Sequence, residues 1–171
     1  MNYLSVEQRR ALKRILNQKG VNSTDKATLS VLLSDKIKKI KLFVDGASDL
    51  NTKTAGIGGA IYVDNKEVSK FSEPLIDKTN NESEYLALIK GIKLLIMLNL
   101  LEAEIFSDSE LIVKQVIGDY KIKNSRMKKL NASVKSELRK MKRWKITHIR
   151  REKNMRADQL SKDGLNTARN L

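Results

Sequence analysis

The segment that decides the fold reads Phe43-Val44-Asp45-Gly46-Ala47-Ser48. An apolar run ends here in an aspartate, which is followed by a glycine and small residues. The alternation predicts a strand over residues 37–45, with Phe43 and Asp45 on one face and Val44 on the other. Because an acid at the end of a buried strand loses its hydration, we expect charged partners to meet Asp45.

The composition favours a nucleic-acid partner. The chain has 171 residues, enough for one domain with a sizeable core and a small appendage. Its 34 lysines and arginines against 20 acids give a formal net charge of +14, which suits a polyanion. A lysine-rich solvated surface is the alternative interpretation. The absence of cysteine excludes disulfides and thiolate metal sites.

The apolar run at residues 91–101 is interrupted by Lys93 and is too short to span a membrane. No secretory signal with an apolar core opens the chain. We therefore expect a cytoplasmic protein with no membrane partner, and we expect it to be a monomer.

Residues 1–36 are predicted to form a basic helical N-terminal extension to a main domain at residues 37–171. Ser5 and Gln8 resemble a capping box, and Gly20 suits a helix end. A second short helix is predicted to begin near residue 23. The first helix carries four basic side chains, Arg9, Arg10, Lys13 and Arg14. They fit a solvated face and a nucleic-acid contact about equally well.

The main domain has the pattern of an α/β fold. Strands are predicted over residues 37–45, 56–63, 67–76, 103–107 and 144–150, and helices over 82–98, 109–117, 126–142 and from 155 onward. The pair Asp64-Asn65 predicts a hairpin turn between the second and third strands. A three-stranded meander followed by alternating strands and helices implies a mixed sheet covered by helices.

Four acids stand at element ends where they could meet. Asp108 follows the fourth strand on the same face as Phe106, so it would lie beside Asp45 if strands one and four were adjacent and parallel. Glu84 falls in the first turn of the long helix, and Asp158 falls near the start of the last one. Taken singly, each acid also fits a turn, a helix cap or a helix dipole. Together they would repel one another without cations, and Mg²⁺ or Mn²⁺ suits such oxygen ligands.

Four short motifs carry a family resemblance: Asp45-Gly46, Thr79-Asn80-Asn81-x-x-Glu84, Asp108-Ser109 and Asn154-x-x-Ala157-Asp158. In order and separation they resemble ribonuclease H type 1 over residues 37–164. The resemblance implies a ribonuclease H-like mixed five-stranded sheet of order 3-2-1-4-5 flanked by helices. It also implies that residues 37–171 are the catalytic domain.

The resemblance implies that the catalytic and metal-holding residues are Asp45, Glu84, Asp108 and Asp158. In this family the equivalent acids hold two Mg²⁺ ions at the scissile phosphate of an RNA–DNA hybrid duplex, and Mn²⁺ is possible in their place. One ion activates a water, and the other stabilises the leaving 3′-oxygen of the RNA. The implied reaction is endonucleolytic hydrolysis of the RNA strand, which leaves 5′-phosphate and 3′-hydroxyl ends.

The resemblance also implies contacts with the substrate. The corresponding residues are Gly46, Ala47, Ser48, Thr79, Asn80 and Asn81. The two asparagines match positions that touch bases or sugars in the minor groove, and the threonine matches a contact to a DNA phosphate. The backbone after Asp45 would approach the 2′-hydroxyls, which distinguish RNA from DNA.

The chain departs from the family pattern at several positions. His148, the single histidine, stands ten residues before Asp158, where many members have a loop histidine that assists product release. Because His148 falls in a predicted strand, we interpret it as a surface strand residue and prefer Arg151 as the auxiliary residue. Glu110 stands where some members have a substrate-contacting glutamine.

The basic handle of some family members does not fit the short connection between residues 120 and 126. A basic cluster could replace its grip on the duplex: Lys121, Lys123, Arg126, Lys128 and Lys129. Two alternatives remain, a non-catalytic nucleic-acid-binding module of the same fold and a related nuclease that also cuts double-stranded RNA. The intact set of acids disfavours the first, and the missing handle leaves the second open.

Overall fold

The structure, a computed structural model, describes residues 6–18, 20–26, 29 and 39–171. The chain divides into two compact units, residues 1–37 and residues 38–171. In the first unit, helix α1 spans Val6–Leu16, and residues 23–26 are helical. The predicted first helix is therefore confirmed. Ser5 and most of the predicted second helix lie outside the described residues.

The second unit contains five strands and four α-helices in its described part. The strands are β1 Ile40–Asp49, β2 Thr54–Val63, β3 Lys66–Ile76, β4 Glu102–Ser107 and β5 Arg143–His148. The helices are α2 Asn80–Met97, α3 Glu110–Ile117, α4 Ser125–Leu138 and α5 Met155–Arg169, and a 3-10 helix, Arg151–Lys153, precedes α5. Every strand and helix predicted for this unit is present.

The strands form one mixed sheet of order β3-β2-β1-β4-β5, as predicted. β1 pairs antiparallel with β2 and β2 with β3, whereas β4 runs parallel to both β1 and β5. Asp64 and Asn65 join β2 to β3 with φ angles of 51° and 67°. Two successive left-handed residues are typical of a type I′ turn, so the predicted hairpin is confirmed.

The boundary of β1 differs from the prediction at both ends. The strand continues four residues beyond Asp45 to Asp49, because residues 46–49 pair with residues 54–57 of β2. Pairing with β4, in contrast, ends at Phe43 opposite Phe106. Asp45 is therefore paired on one side and open on the other. The predicted residues 37–38 lie outside the described residues.

Other predicted ends move by a few residues. β2 begins two residues earlier, at Thr54, α4 ends at Leu138 instead of residue 142, and β5 ends at His148 instead of residue 150. None of these shifts changes the face on which a predicted site residue lies.

Helices cover both faces of the sheet. Leu42 and Val44 face α2, where their side chains pack closely against Gly91. Both side chains are essentially fully buried. Gly58 faces α5, and a Cβ at this position would lie 2.2 Å from the Ser161 backbone nitrogen. Burial of each large aliphatic side chain stabilises the fold by about 1.5–3 kcal/mol. Within the described residues, no helix is long and apolar enough to cross a membrane.

One polar arrangement caps α2, and a second fixes it against the neighbouring helices. At its N-terminus, Thr79 and Glu82 form a reciprocal capping box. Further along, the Tyr85 hydroxyl donates to Gln115 Oε1 at 2.8 Å and accepts from Asn131 Nδ2 at 3.2 Å. Because these groups are buried, the bonds tie α2 to α3 and α4 in one register.

Candidate active site

Asp45 lies in β1 just beyond the point where its pairing with β4 ends, and Asp108 follows the end of β4. Phe43 and Phe106 are register partners whose rings stack with centroids 4.9 Å apart. Asp45 and Asp108 each follow two residues later and lie close enough for their charges to interact, although Asp45 remains paired with β2. Asn154 connects β1 to Asp108, since its Nδ2 donates to the Val44 carbonyl at 3.0 Å and to Asp108 Oδ1 at 2.6 Å.

Asp45 faces α5 and is 9% exposed. Its Oδ2 accepts a hydrogen bond from the Ser161 hydroxyl at 2.5 Å. Ser161 Oγ is also 2.9 Å from the Asp158 carbonyl, so its single proton has two competing acceptors. Sequence reasoning missed Ser161 and did not include Asn154 among the site residues. The available signals were their positions on the last helix, three residues after and four residues before Asp158.

Glu84 reaches the site from the second turn of α2, not from the first as predicted, because the helix begins at Asn80, two residues earlier than expected. Gly46 permits this approach, because a Cβ at residue 46 would lie 2.3 Å from the Glu84 backbone nitrogen. Glu84 Oε1 accepts from Asn80 Nδ2 at 3.0 Å, while Oε2 is buried without a hydrogen-bond partner. An unpartnered buried carboxylate oxygen is costly, and a cation would satisfy it.

Asp158 lies in the first turn of α5 and is paired with two cations. Lys162 Nζ donates to its Oδ2 at 2.6 Å, and Arg151 Nη2 donates to its Oδ1. Partial burial acts to raise the pKa of Asp158, but the bonds from Lys162 and Arg151 outweigh it and hold the pKa below its usual range. Asp158 is therefore held ionised.

The other two buried acids have the opposite tendency. Burial raises the pKa of Asp45 from 3.8 to about 6; the Ser161 hydroxyl opposes this shift, and the charges of Asp108 and Asp158 add to it. Burial also raises the pKa of Glu84 from 4.5 to about 7; the nearby Ser109 side chain opposes this shift, and the charges of Asp45 and Asp108 add to it. The charge of Asp45 thus interacts with those of Asp108 and Asp158, and the charge of Glu84 with those of Asp45 and Asp108. The four acids therefore influence one another's ionisation.

This donor set fits hard divalent cations. All four acids supply oxygen, two of them are destabilised as isolated anions, and Glu84 Oε2 lacks a partner. Within the described residues, no group of three or more acidic or histidine side chains is already close enough to hold a metal. Asp158 is turned instead toward Lys162 and Arg151.

The residues predicted to contact substrate surround this point. Ala47 and Ser48 continue β1 and are partly exposed, and Asn81 is exposed at the start of α2. Thr79 is exposed as the N-cap residue of α2, and Asn80 bonds to Glu84. Gly46, however, is buried against α2, so packing alone accounts for this glycine.

The predicted auxiliary residues lie at the end of β5 and in the 3-10 helix that precedes α5. His148 is the exposed last residue of β5, as the strand interpretation required, and Arg151 contacts Asp158. Glu110 is exposed in the first turn of α3. The predicted basic cluster is exposed throughout, on α4 and the segment before it: Lys121, Lys123, Arg126, Lys128 and Lys129.

Comparisons with known proteins agree with this geometry. The family model described as reverse transcriptase-like matches residues 43–164. The bifunctional protein Rv2228c of Mycobacterium tuberculosis is 31% identical over 132 residues, which is 76% of this chain and 36% of that protein. The chain thus spans about a third of the length of this relative.

Solved structures of RNase H1 proteins are also similar to this chain. RNase H1 from Halobacterium salinarum has a TM-score of 0.73 at 28% identity, covering 76% of this chain and 99% of that one. LC11-RNase H1 in complex with an RNA/DNA hybrid has a TM-score of 0.70 at 34% identity, covering 76% and 99% respectively. The matched residues include all four acids and the whole sheet from Phe43 onward. The chain therefore belongs to the ribonuclease H type 1 family.

Proposed function

We propose that this protein hydrolyses the RNA strand of RNA–DNA hybrids endonucleolytically, by a two-metal-ion mechanism with Mg²⁺ or Mn²⁺. The observation that carries the proposal is the convergence of Asp45, Glu84, Asp108 and Asp158 beside the central strand β1, where their charges interact. Two of them have raised pKa values, as expected of carboxylates arranged for a cation. The hybrid bound in the LC11-RNase H1 structure supports the choice of substrate.

In this proposal the four acids hold the metal ions and chain residues keep the acids in place. Bound Mg²⁺ would activate water and stabilise the charge that develops on the leaving oxygen. Ser161 directs Asp45 through its hydroxyl, and Asn154 holds Asp108 beside β1. Hydrolysis in this geometry would leave 5′-phosphate and 3′-hydroxyl ends.

Arg151 and Lys162 have a second part in the proposal. They keep Asp158 deprotonated and ready to act as a ligand, because each donates a charged hydrogen bond to it. Arg151 would also be the auxiliary residue that assists turnover. His148, exposed at the end of β5, is the other candidate for that role.

The substrate contacts belong to the proposal as well. The hybrid would lie across the residues around the four acids, Gly46, Ala47, Ser48, Thr79, Asn80 and Asn81. The exposed basic cluster on α4 and the segment before it would neutralise phosphates further along the duplex. We also propose residues 1–36 as an extension to the catalytic domain, and a monomer that acts in the cytoplasm.

A matched cleavage assay tests the proposal. End-labelled RNA–DNA hybrid, double-stranded RNA and double-stranded DNA are incubated with Mg²⁺ or Mn²⁺, and the product ends are mapped. We expect hybrid cleavage that Asp45→Asn abolishes while hybrid binding remains. Asp163→Asn, which changes an exposed acid on α5 that accepts from Gln159, is the control. Retained cleavage in Asp45→Asn would refute the mechanism, and no cleavage by the wild type would favour a binding module.

A further inference from the structure

A cavity of about 230 Å³ opens beside the four acids on the face of the sheet that α5 covers. Its lining residues come from β1, β2, the β2–β3 turn, the end of the 3-10 helix and the start of α5 with the residue before it: Lys41, Phe43, Tyr62, Asn65, Lys153, Asn154 and Arg156. Phe43 precedes Asp45 by two residues on the same face of β1, which is about 7 Å along a strand. The cavity is thus adjacent to the proposed catalytic acids without containing any of them.

Aromatic rings form one wall of this cavity. Phe43 meets Tyr62 edge to face, with ring centroids 5.7 Å apart and an interplanar angle of 87°. Phe43 also stacks on Phe106, with an interplanar angle of 22°. The rings are fixed by these contacts, so they offer a rigid apolar surface to a planar group.

Positive charge surrounds the same wall. Lys41, Lys153 and Arg156 each line the cavity. Glu67 compensates Arg156, since it accepts from Nε at 3.0 Å and from Nη2 at 3.1 Å. Among the described residues, Lys41 and Lys153 have no ion pair, and Lys41 Nζ donates to the neutral Asn65 Oδ1 at 3.1 Å. Two lysine charges therefore remain for an anionic ligand.

We propose that this cavity binds one unpaired nucleotide, with its base against Phe43 and Tyr62 and its phosphate near Lys41 and Lys153. An aromatic surface beside uncompensated cations is the arrangement that binds single-stranded nucleic acid. The volume is below the range of about 300–1,000 Å³ for drug-sized ligands, which suits a single base. The inference extends the proposed function, because the nucleotide would belong to a single-stranded flank of the hybrid or be a free nucleotide.

Equilibrium binding without divalent metal tests this proposal and separates the two sources. The full chain is titrated with a blunt hybrid and with the same hybrid carrying a short single-stranded extension at each end in turn. AMP is the free-ligand probe, and ribose 5-phosphate, which lacks the base, is its control. The variants are Lys41→Glu and Tyr62→Ala, and Lys93→Glu, on the exposed side of α2, is the control of equal charge change.

We expect at least one extension to tighten binding by roughly fivefold or more, the gain that corresponds to stacking of one base. Lys41→Glu and Tyr62→Ala should lose this gain, and Lys93→Glu should keep it. AMP binding that is lost in the same two variants, without any effect of an extension, would assign the cavity to a free nucleotide. Thermal unfolding shows whether each variant is folded. If one of the two pocket variants does not fold, the other still tests the proposal.

The proposal is overturned if neither an extension nor AMP binds in a way that depends on Lys41 or Tyr62. It is equally overturned if Lys93→Glu removes the same binding, since general charge would then explain it. Cleavage of the blunt hybrid by the wild type is measured in parallel. Intact cleavage with neither an extension effect nor AMP binding that depends on these residues rejects the cavity alone, whereas absent cleavage rejects the proposed function.

Discussion

Replacing Asp45 by asparagine should stabilise the metal-free protein at neutral and alkaline pH. Burial raises the pKa of Asp45 from 3.8 to about 6, so the ionised carboxylate destabilises the folded state. At about 1.36 kcal/mol per pH unit, this difference corresponds to roughly 3 kcal/mol. Asparagine carries no charge, and its amide oxygen can still accept from the Ser161 hydroxyl. Allowing roughly 0.5–1.5 kcal/mol for a weaker hydrogen bond leaves a net gain of about 2 kcal/mol.

The pH dependence of this effect follows from proton linkage. Between pH 3.8 and about pH 6 the folded state binds more protons at Asp45 than the unfolded state does. The stability that Asp45 contributes is therefore present below this window and is lost as the pH rises through it. Asp45→Asn lacks that loss, so the difference between variant and wild type should be small near pH 4 and complete at pH 8.

Urea and thermal unfolding in EDTA from pH 4 to pH 8 measure the difference. The expected rise in Tm at pH 8 is roughly 4 °C per kcal/mol for a domain of this size. Added Mg²⁺ should then stabilise the wild type but not the variant, since only the wild type gains from ligand binding. Asp163→Asn is the control for loss of an acid on α5. A variant that is less stable than wild type at pH 8, or equally shifted at every pH, would refute the reasoning.

Three further predictions concern the same acids. Gly46→Ala should destabilise the fold by about 1–3 kcal/mol in urea unfolding, because its Cβ would lie 2.3 Å from the Glu84 backbone nitrogen; an unchanged midpoint would contradict this close approach. Ser161→Ala removes the hydroxyl that lowers the pKa of Asp45. The acidic limb of the rate–pH profile for hybrid cleavage should therefore move to higher pH, and a shift to lower pH would be inconsistent with this contact. Mg²⁺ binding followed by calorimetry in buffers of different ionisation enthalpy should release protons near neutral pH, because Asp45 and Glu84 must lose them to bind the ion; binding without proton release would argue against both acids as ligands.

Local sequence signals predicted the strands, and together with the strand order implied by the family resemblance they predicted the placement of two acids. Asp64-Asn65 has the chemistry of a left-handed two-residue turn, which fixes the β2–β3 hairpin. The alternation of strand faces placed Asp45 and Asp108 each two residues beyond a stacked phenylalanine. Both inferences depend on neighbouring residues along the chain, and the structure confirms the strand arrangement on which they rest.

What the sequence did not reveal depends on contacts between distant segments. Residues 46–49 look like a polar turn, yet they are strand because β2 supplies their hydrogen-bond partners. Ser161 and Asn154 meet β1 across more than a hundred residues, so their spacing from Asp158 marks them as neighbours of that acid but does not reveal their bonds to β1. The pairing of Lys162 with Asp158, in contrast, follows from i,i+4 spacing on a helix and could have been predicted.

Two close approaches on opposite faces of the sheet place the acids together. On one face, Gly46 admits the backbone of α2 and so brings in Glu84; on the other, Gly58 lets α5 approach, with Ser161 backbone nitrogen 2.2 Å from a Cβ placed there. Gly58 is the register partner of Asp45, which lies next to Gly46 in the chain. A methyl group added at Gly46 would push α2 away, and one added at Gly58 would push α5 away. Both close contacts therefore lie next to Asp45. The high pKa of Asp45 is a consequence, since the same packing that fixes the carboxylate also removes its water.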